Sequence, residues 1–391
     1  MKIQKVLILL CSIIFMSIAI GLFSALFLYT LSTTSSTFIK NQWLMWSMPL
    51  IGFFVGYVYY TYGKEANKGT NYILHSISET KNNIPLRMAP FVYIGTLLSH
   101  LVGASAGREG TAVQVGGVVA ENIRRFFRID ISYKPLLLLC GIAAGFSSVF
   151  GLPFAGIIFA LELSKGKHYK LWYIAPIALC SFVSNWICLQ TGIHHLSIPT
   201  IIVPSFNFVH SIYVVIIAIC CLLVGYLFVI CSKKISQILT KSISYKPFHP
   251  FVGGIVLLLG YYLVGDLKFA GLGTETITIG FTQLQPSTDF FFKLIFTALT
   301  IASGFKGGEV TPLFFIGVTL ASALALFIPL PLSFLAALCF VGVFSSATKL
   351  PIASFALGVE LFGFDVFLPL FIVSMFTNIG SKRIGIYSAT E

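Results

Sequence analysis

Long apolar runs separated by short polar gaps cover most of the chain. The first spans about residues 6 to 31 and follows Lys2 and Lys5; its length favours a membrane helix over the alternative of a signal peptide. Further runs lie near 43–62, 89–104, 135–163, 171–192, 210–232, 250–265, 288–304, 311–330, 332–346 and 351–380. A spanning helix needs about 20 apolar residues. The pattern therefore predicts an all-α polytopic membrane protein, in which runs interrupted by Gly or Pro form broken and tilted helices.

Composition removes most other classes of protein. Of the 391 residues, 57% are hydrophobic and only 10% are charged, against about 25% charged in soluble domains. A cytosolic enzyme, a nucleic-acid-binding protein and a disordered chain are thereby excluded. The formal net charge of +12 comes from basic residues in the polar gaps, where Lys and Arg set topology and contact anionic lipids. We expect one membrane transport domain over residues 1–391, with no cytosolic regulatory domain.

Cysteine and histidine spacing gives no sign of a metal site or a cofactor. The eight cysteines lie in or beside apolar runs and form no CxxC pair, and the seven histidines form no HExxH pattern. A membrane enzyme would need metal ligands or a nucleophile–base pair within its spans, so we predict that the protein is not an enzyme. His194 and His195 lie in a loop beside Gly192 and are predicted to be solvated.

The two halves of the chain repeat three short patterns in the same order. Residues 107–117, GREGTAVQVGG, match residues 307–317, GGEVTPLFFIG. Residues 146–163 match 344–361 through FSS, LP, A and EL, and residues 69–73, GTNYI, match 273–277, GTETI. Ordered matches at nearly one offset predict two repeats, over 5–200 and 205–387. In secondary transporters such repeats are often inverted, with the substrate site at their junction.

Glu109 and Glu309 occupy equivalent places, each in a glycine-containing turn before an apolar segment. A carboxylate at the bilayer centre costs about 2.5–3.5 kcal/mol, so a membrane protein either stabilises it or uses it. Unpaired N–H groups at a helix start favour an anion. The turn then holds its own tethered anion, and protonation of the glutamate would free the N–H groups for a mobile one. The alternative is that both carboxylates only cap helices.

Three further charged residues have less certain roles. Arg108 can pair with Glu109 or face an aqueous vestibule, and the sequence does not decide between these. Glu162 and Glu360 end the two matched apolar segments of the second pattern. We interpret both as structural carboxylates at helix ends, with a role as proton carriers as the alternative.

These residues resemble the CLC family of anion channels and proton-coupled antiporters. The matching motifs are Gly107-Arg108-Glu109-Gly110, the loop Gly307 to Pro312, the glycine-rich run Gly141 to Glu162, which is similar to a long helix of the family, and Tyr387-Ser388-Ala389. The resemblance implies a CLC-type inverted repeat and a homodimer with one pore per subunit. It also implies that Glu109 is the gating glutamate and that Tyr387 supplies an anion-coordinating hydroxyl.

The departures from the family pattern indicate a branch. Thr111 stands where the family usually has Pro, and Glu309 and Thr311 replace an apolar residue and Ala. GREGT and GEVTP together resemble the fluoride-exporting bacterial members. Chloride-type antiporters carry a second glutamate where this chain has Leu163, so Glu309 is the expected replacement in proton coupling. The expected anion-binding set, whose side chains could equally be helix caps, is Thr70, Asn71, Gly110, Val310, Thr311 and Tyr387.

The resemblance implies a fluoride/proton antiporter that exports fluoride, a multi-pass protein of the bacterial inner membrane. Its ligands would be fluoride or chloride and protons, in contact with the lipid bilayer. A chloride/proton antiporter or a passive chloride channel is the alternative within the same family.

Overall fold

The computed structural model describes residues 2–79, 83–164, 170–195, 197–205, 207–379 and 385–387. Ser388 and Ala389, which belong to the last motif of the sequence analysis, lie outside the described residues. No β-strand forms within those ranges. The extended pairing there is one isolated bridge between Gly107 and Gly308. The predicted all-α class is confirmed.

Sixteen α-helices occur in the described ranges, eight before and eight after residue 200. The first eight are α1 (Lys2–Lys40), α2 (Met48–Val58), α3 (Thr70–Ser78), α4 (Met88–Leu101), α5 (Glu109–Phe126), α6 (Lys134–Phe150), α7 (Pro153–Leu163) and α8 (Ile174–Gln190). The others are α9 (Phe208–Ser242), α10 (Phe248–Val264), α11 (Thr274–Ile279), α12 (Asp289–Ser303), α13 (Val310–Leu324), α14 (Leu332–Thr348), α15 (Pro351–Phe362) and α16 (Phe367–Phe376).

Two compact units divide the chain. The first comprises Met1–Ser36, Val58–Leu97 and Arg108–His195. The second comprises Thr37–Tyr57, Leu98–Gly107 and Leu196–Glu391. Each half of the chain begins with a long helix, α1 of 39 residues and α9 of 35 residues.

Four segments in the described ranges are long and apolar enough to cross a membrane. They are Gln4–Lys40, Ile131–Phe150, Leu171–Gln190 and Phe208–Ser242. Seven shorter apolar helices, each of 10 to 17 residues in the described part of the chain, accompany them. Helices of that length fall short of the roughly 20 residues that a full span needs.

The helix bounds follow the apolar runs, but three runs are divided; one of them is 351–380, which contains both α15 and α16. The run over 135–163 is not the single long helix that the resemblance suggested for Gly141 to Glu162, because α6 ends at Phe150 and α7 begins at Pro153. Gly151 between them is left-handed (φ 80°), and proline at the next helix start prevents continuation. The run over 43–62 is likewise divided, since α2 lies between a 3-10 helix and a π-helical turn.

The paired serines of the second repeated pattern make matched contacts within each unit. Ser147 of α6 donates to a carbonyl on α8 at 2.9 Å, and Ser345 of α14 donates to a carbonyl on α16 at 3.0 Å. Ser148 donates to a hydroxyl on α1 at 2.7 Å, and Ser346 donates to a carbonyl on α9 at 3.0 Å. In an apolar interior these side chains need such partners. The repeated serines therefore connect the central helix of each unit to equivalent neighbours: α6 to α8 and α1, and α14 to α16 and α9.

Glycines bring the helices that follow the two glutamates into close contact with their neighbours. A Cβ atom on Gly116 of α5 would lie 2.0 Å from the carbonyl oxygen of Gly141 on α6. A Cβ on Gly317 of α13 would lie 2.4 Å from the carbonyl oxygen of Cys339 on α14. Small residues permit this approach of two backbones, which is how helices pack without a hydrophobic driving force in lipid.

Candidate functional site

Glu109 is the first residue of α5 and is buried, with 1% of its surface exposed. One carboxylate oxygen, Oε2, accepts a hydrogen bond from the backbone N–H of Arg108 at 3.0 Å. The positive end of the helix dipole and the free N–H groups of the first turn favour a negative charge here. Gly110, next in the chain, is buried and belongs to that first turn. The carboxylate thus occupies the place that an anion at this helix start would take.

Two further polar side chains near the start of α5, those of Thr111 and Gln114, make hydrogen bonds within the first unit. The Thr111 hydroxyl lies 2.7 Å from the hydroxyl of Thr96 on α4. The side-chain amide of Gln114 donates to the Thr70 hydroxyl at 3.3 Å. The sequence analysis missed Gln114, although a glutamine that is 8% exposed within an apolar helix was a usable signal. It connects the helix of Glu109 to Thr70, the first residue of α3.

Thr70 and Asn71 begin α3 directly after Gly69, whose φ of 57° is left-handed. Thr70 is partly buried and contacts Gln114, whereas Asn71 is exposed. In the second unit Gly273 (φ 70°) likewise precedes the first residue of a helix, Thr274 of α11, although the two glycines differ in ψ (−143° at Gly69 and 27° at Gly273). A glycine in this conformation lets the chain turn abruptly into a helix.

Glu309 precedes α13 at the N-cap position, and its side chain makes no capping hydrogen bond to that helix. Glu309 is partly exposed. Val310 and Thr311, the first two residues of α13, are buried at 1% and 3% exposure. The three form one helix start.

The loop before Glu309 is fixed within the second unit. Gly107 and Gly308 exchange two backbone hydrogen bonds, of 2.6 and 2.8 Å. The backbone N–H of Lys306 donates to the Ser99 hydroxyl at 3.0 Å. Gly307, at φ 150°, would place a Cβ 2.5 Å from the side chain of Ala106. The glycines of the repeated motif are required because two backbone segments approach each other here.

Tyr387 lies in the short turn Gly385 to Tyr387, which is attached to the end of α14. The backbone N–H of Ile386 donates to the carbonyl of Ala347 at 2.9 Å. Tyr387 is partly buried. The residue predicted to coordinate an anion is therefore held by the helix that packs on α13.

The helix-end carboxylates fall where the sequence placed them. Glu162 lies in the last turn of α7 and Glu360 in the last turn of α15, and both are partly exposed. Leu163, at the chloride-type position of a second glutamate, is 5% exposed and packs as an apolar residue. Among the described residues, no group of three or more His, Cys, Asp or Glu side chains is arranged to hold a metal ion.

His195 differs from its prediction. His194 is exposed as expected, but His195 is only partly exposed, and both of its ring nitrogens are buried. Burial, together with the charge of Arg108, lowers the pKa of His195 to about 4. A Cβ on Gly151 would lie 2.4 Å from the imidazole Cδ2. Gly151 is 44 positions earlier in the chain, so no local pattern could reveal this packing.

Comparison with known proteins agrees with this arrangement of motifs. The model of the voltage gated chloride channel family matches residues 51–382. The chain belongs to that family. A chloride/fluoride channel protein of Pseudomonas syringae pv. tomato is 36% identical over 375 residues, which are 94% of this chain and 83% of the relative. Together with the apolar helices, family membership makes the protein an integral, multi-pass membrane protein.

Two solved structures of the voltage gated chloride channel family share the fold. A crystal structure of a CLC-type fluoride/proton antiporter superposes with a TM-score of 0.93 at 32% identity and covers 96% of both chains. A slow cyanobacterial Cl⁻/H⁺ antiporter superposes with a TM-score of 0.81 at 16% identity, over 94% of this chain and 93% of the other. The resemblance inferred from four motifs is confirmed, and the CLC fold extends over almost the whole chain.

Proposed function

We propose that this protein exchanges fluoride for protons across the membrane and exports fluoride. The observation that carries the proposal is the buried carboxylate of Glu109 at the start of α5, in a chain whose fold superposes on a CLC-type fluoride/proton antiporter with a TM-score of 0.93. The bacterial relative at 36% identity is named as a chloride/fluoride channel protein. Both likenesses are to proteins that handle fluoride.

Glu109 is the proposed gate. Its carboxylate lies at a helix start and accepts the N–H of Arg108, so it competes with a mobile anion for the same positive potential. When it takes up a proton, its charge disappears and the helix start becomes available to fluoride. Each exchange of the tethered anion for the mobile one therefore moves a proton in the opposite sense, which is the physical basis of coupling.

Glu309 is the proposed second proton carrier. It is partly exposed and lies at the N-cap position of α13, directly before the buried Val310 and Thr311. A protonated carboxylic acid donates a hydrogen bond, and fluoride is a strong acceptor. Leu163 is apolar, so this chain has no carboxylate at the position where chloride-type antiporters carry their second glutamate. Glu309 supplies one from another helix.

The donors proposed for the anion combine backbone and side chains. Gly110 and Val310 contribute N–H groups from the first turns of α5 and α13. The remaining proposed ligands are the side chains of Thr70, Asn71, Thr311 and Tyr387. A small, strongly hydrated anion needs several close donors to replace its water, and hydroxyl and amide groups provide them.

We further propose that the protein acts as a homodimer with one pore per subunit, in the inner membrane of a bacterium. The support is family membership and the bacterial relative. Residues over 5–200 and 205–387 are proposed as the inverted repeats, supported by the three repeated sequence patterns.

A flux comparison in liposomes tests the proposed function. Vesicles containing the purified protein are loaded with fluoride or chloride, and ion-selective electrodes follow release. We expect rapid fluoride release and much slower chloride release. Faster release of chloride would assign the protein to chloride transport, and release of neither halide would reject the proposal. Empty vesicles provide the control for fluoride that crosses the lipid as HF.

A further inference from the structure

The chain that follows α4 runs through the interior of the second unit without forming a helix. Residues 102–107 are all buried, and all of them belong to that unit. Irregular backbone in an apolar interior needs a partner for its N–H and C=O groups, because water is not there to supply one. The partners of this 102–107 segment therefore show what keeps it in place.

Side chains of α10 and α12 satisfy part of that backbone. The Tyr261 hydroxyl of α10 donates to the carbonyl of Gly103 at 3.0 Å. The N–H of Ser105 donates to the Thr300 hydroxyl of α12 at 3.2 Å. The Ser105 hydroxyl lies 2.9 Å from a second hydroxyl of α12, that of Thr297. The 102–107 segment is thus held by two helices of its own unit.

His100, near the end of α4, supplies the next bond. Its ring is 1% exposed, and Nε2 lies 3.0 Å from the carbonyl oxygen of Ala106. A carbonyl only accepts hydrogen bonds, so Nε2 carries the proton and donates. The carbonyl of Ala106 and the N–H of Gly107 belong to one planar peptide unit. That N–H donates to the carbonyl of Gly308 at 2.6 Å, so His100 holds one side of the peptide unit and Gly308 the other.

The turn that carries Glu309 is fastened to the same part of the chain at two points. At one point the N–H of Lys306 donates to the hydroxyl of Ser99, the residue before His100, at 3.0 Å. At the other, Gly308 pairs with Gly107 through its carbonyl and its N–H. All of these residues belong to the second unit. The placement of Glu309 therefore depends on residues 99–107.

We infer that His100 is a positioning residue for the carboxyl group of Glu309. By holding the carbonyl of Ala106, the imidazole directs the opposite N–H of the same planar peptide unit at Gly308, the residue directly before Glu309. The inference rests on the proposed function, in which Glu309 carries a proton. Proton transfer needs its donor and acceptor within about 2.6–3.2 Å of each other. A displaced turn should therefore lose proton movement before it loses fluoride movement.

The number of protons moved per fluoride ion, followed by fluoride and pH electrodes on the same vesicles, tests the inference. His100→Leu removes the donor and keeps a side chain of comparable size, whereas the amide of His100→Gln reaches the same carbonyl. His249→Leu is the matched control, because the ring of His249 bonds in the same way through Nε2 to the carbonyl of Ile243, at 2.9 Å. We expect the ratio to fall at least about threefold in His100→Leu. The other two variants should keep the parent ratio.

A merely structural role of His100 predicts a different result. Loss of folded protein reduces both fluxes together and leaves their ratio unchanged. An unchanged ratio in folded His100→Leu, or an equal fall in His249→Leu, would overturn the inference. If His100→Leu does not fold, His100→Asn takes its place, because the shorter amide does not reach the Ala106 carbonyl. Equal ratios in the Gln and Asn variants would then overturn it.

Amide hydrogen exchange separates this inference from the proposed function, because it needs no transport. Peptides that contain Lys306 and Gly308 are followed by mass spectrometry in detergent. They should exchange about tenfold faster in His100→Leu than in the parent, the change expected from loss of one buried hydrogen bond. If the parent moves fluoride without protons and this change still occurs, the proposed function fails and the placement of the turn by His100 stands. Coupled transport in the parent with unchanged exchange in His100→Leu would reject the positioning role alone.

Discussion

Single carboxylates carry the proposed coupling, and Glu109 is the first to test. Replacement by Gln keeps the shape and removes the charge, which imitates the protonated gate. We expect Glu109→Gln to fold, to conduct fluoride and to lose proton movement, measured by fluoride and pH electrodes on the same vesicles. Glu65→Gln is the control, because Glu65 forms an exposed ion pair with Arg87, and such pairs contribute about 0–1 kcal/mol. Proton-coupled fluoride movement at the parent rate in Glu109→Gln would show that Glu109 is not the gate.

Glu309 is tested separately because the chain departs from chloride-type relatives at this residue. Glu309→Ala should abolish fluoride-driven proton movement while leaving a folded protein, since the side chain is partly exposed and lies before the first turn of α13. Glu360→Gln is the matched control in the same unit, a helix-end carboxylate that should leave the number of protons moved per fluoride unchanged. Coupling that survives in Glu309→Ala, measured with the same two electrodes, would remove Glu309 from the proton path.

The close packing of α5 against α6 depends on the contact between their glycines, Gly116 and Gly141. In Gly116→Ala the new methyl group would lie 2.0 Å from a backbone oxygen of Gly141, which cannot rotate away. We expect a destabilisation of about 1–3 kcal/mol, the usual cost of overpacking, seen as a lower melting temperature. In Gly63→Ala the new atom meets side-chain atoms of Asn67 and Tyr59 at 3.2 and 3.3 Å, which need to shift by only a few tenths of an ångström, so this control should melt much closer to the parent. Equal melting of the two variants would contradict the close packing.

Helix positions were largely predictable from the sequence, whereas the contacts of the site were not. Pro153, Pro351 and the glycines before α3 and α11 stop or start helices through local backbone chemistry, which a sequence displays directly. The break at Gly151 was missed because glycines also occur inside close-packed membrane helices. The pairing of Gln114 with Thr70, and the burial of His195, join residues more than 40 positions apart and have no local signature.

At the scale of the molecule, we predict that the two repeats are inverted. Eight helices precede and eight follow residue 200 in the described ranges, and the matched serines of α6 and α14 contact equivalent helices. An experimental structure in a lipid nanodisc should superpose α1–α8 on α9–α16 by a rotation of about 180° about an axis in the membrane plane. A superposition about an axis along the membrane normal would make the repeats parallel and contradict the prediction.

The central claim is that fluoride and protons move in exchange, and uphill proton movement tests it most directly. Vesicles that contain the protein and fluoride are diluted into fluoride-free solution at equal pH inside and outside, and a pH electrode follows the exterior. We predict that fluoride leaves and that protons enter against the gradient they create, so that the exterior becomes alkaline, and that a proton carrier then collapses the difference. Fluoride release with no change in external pH in the parent protein would contradict coupling and leave a passive channel.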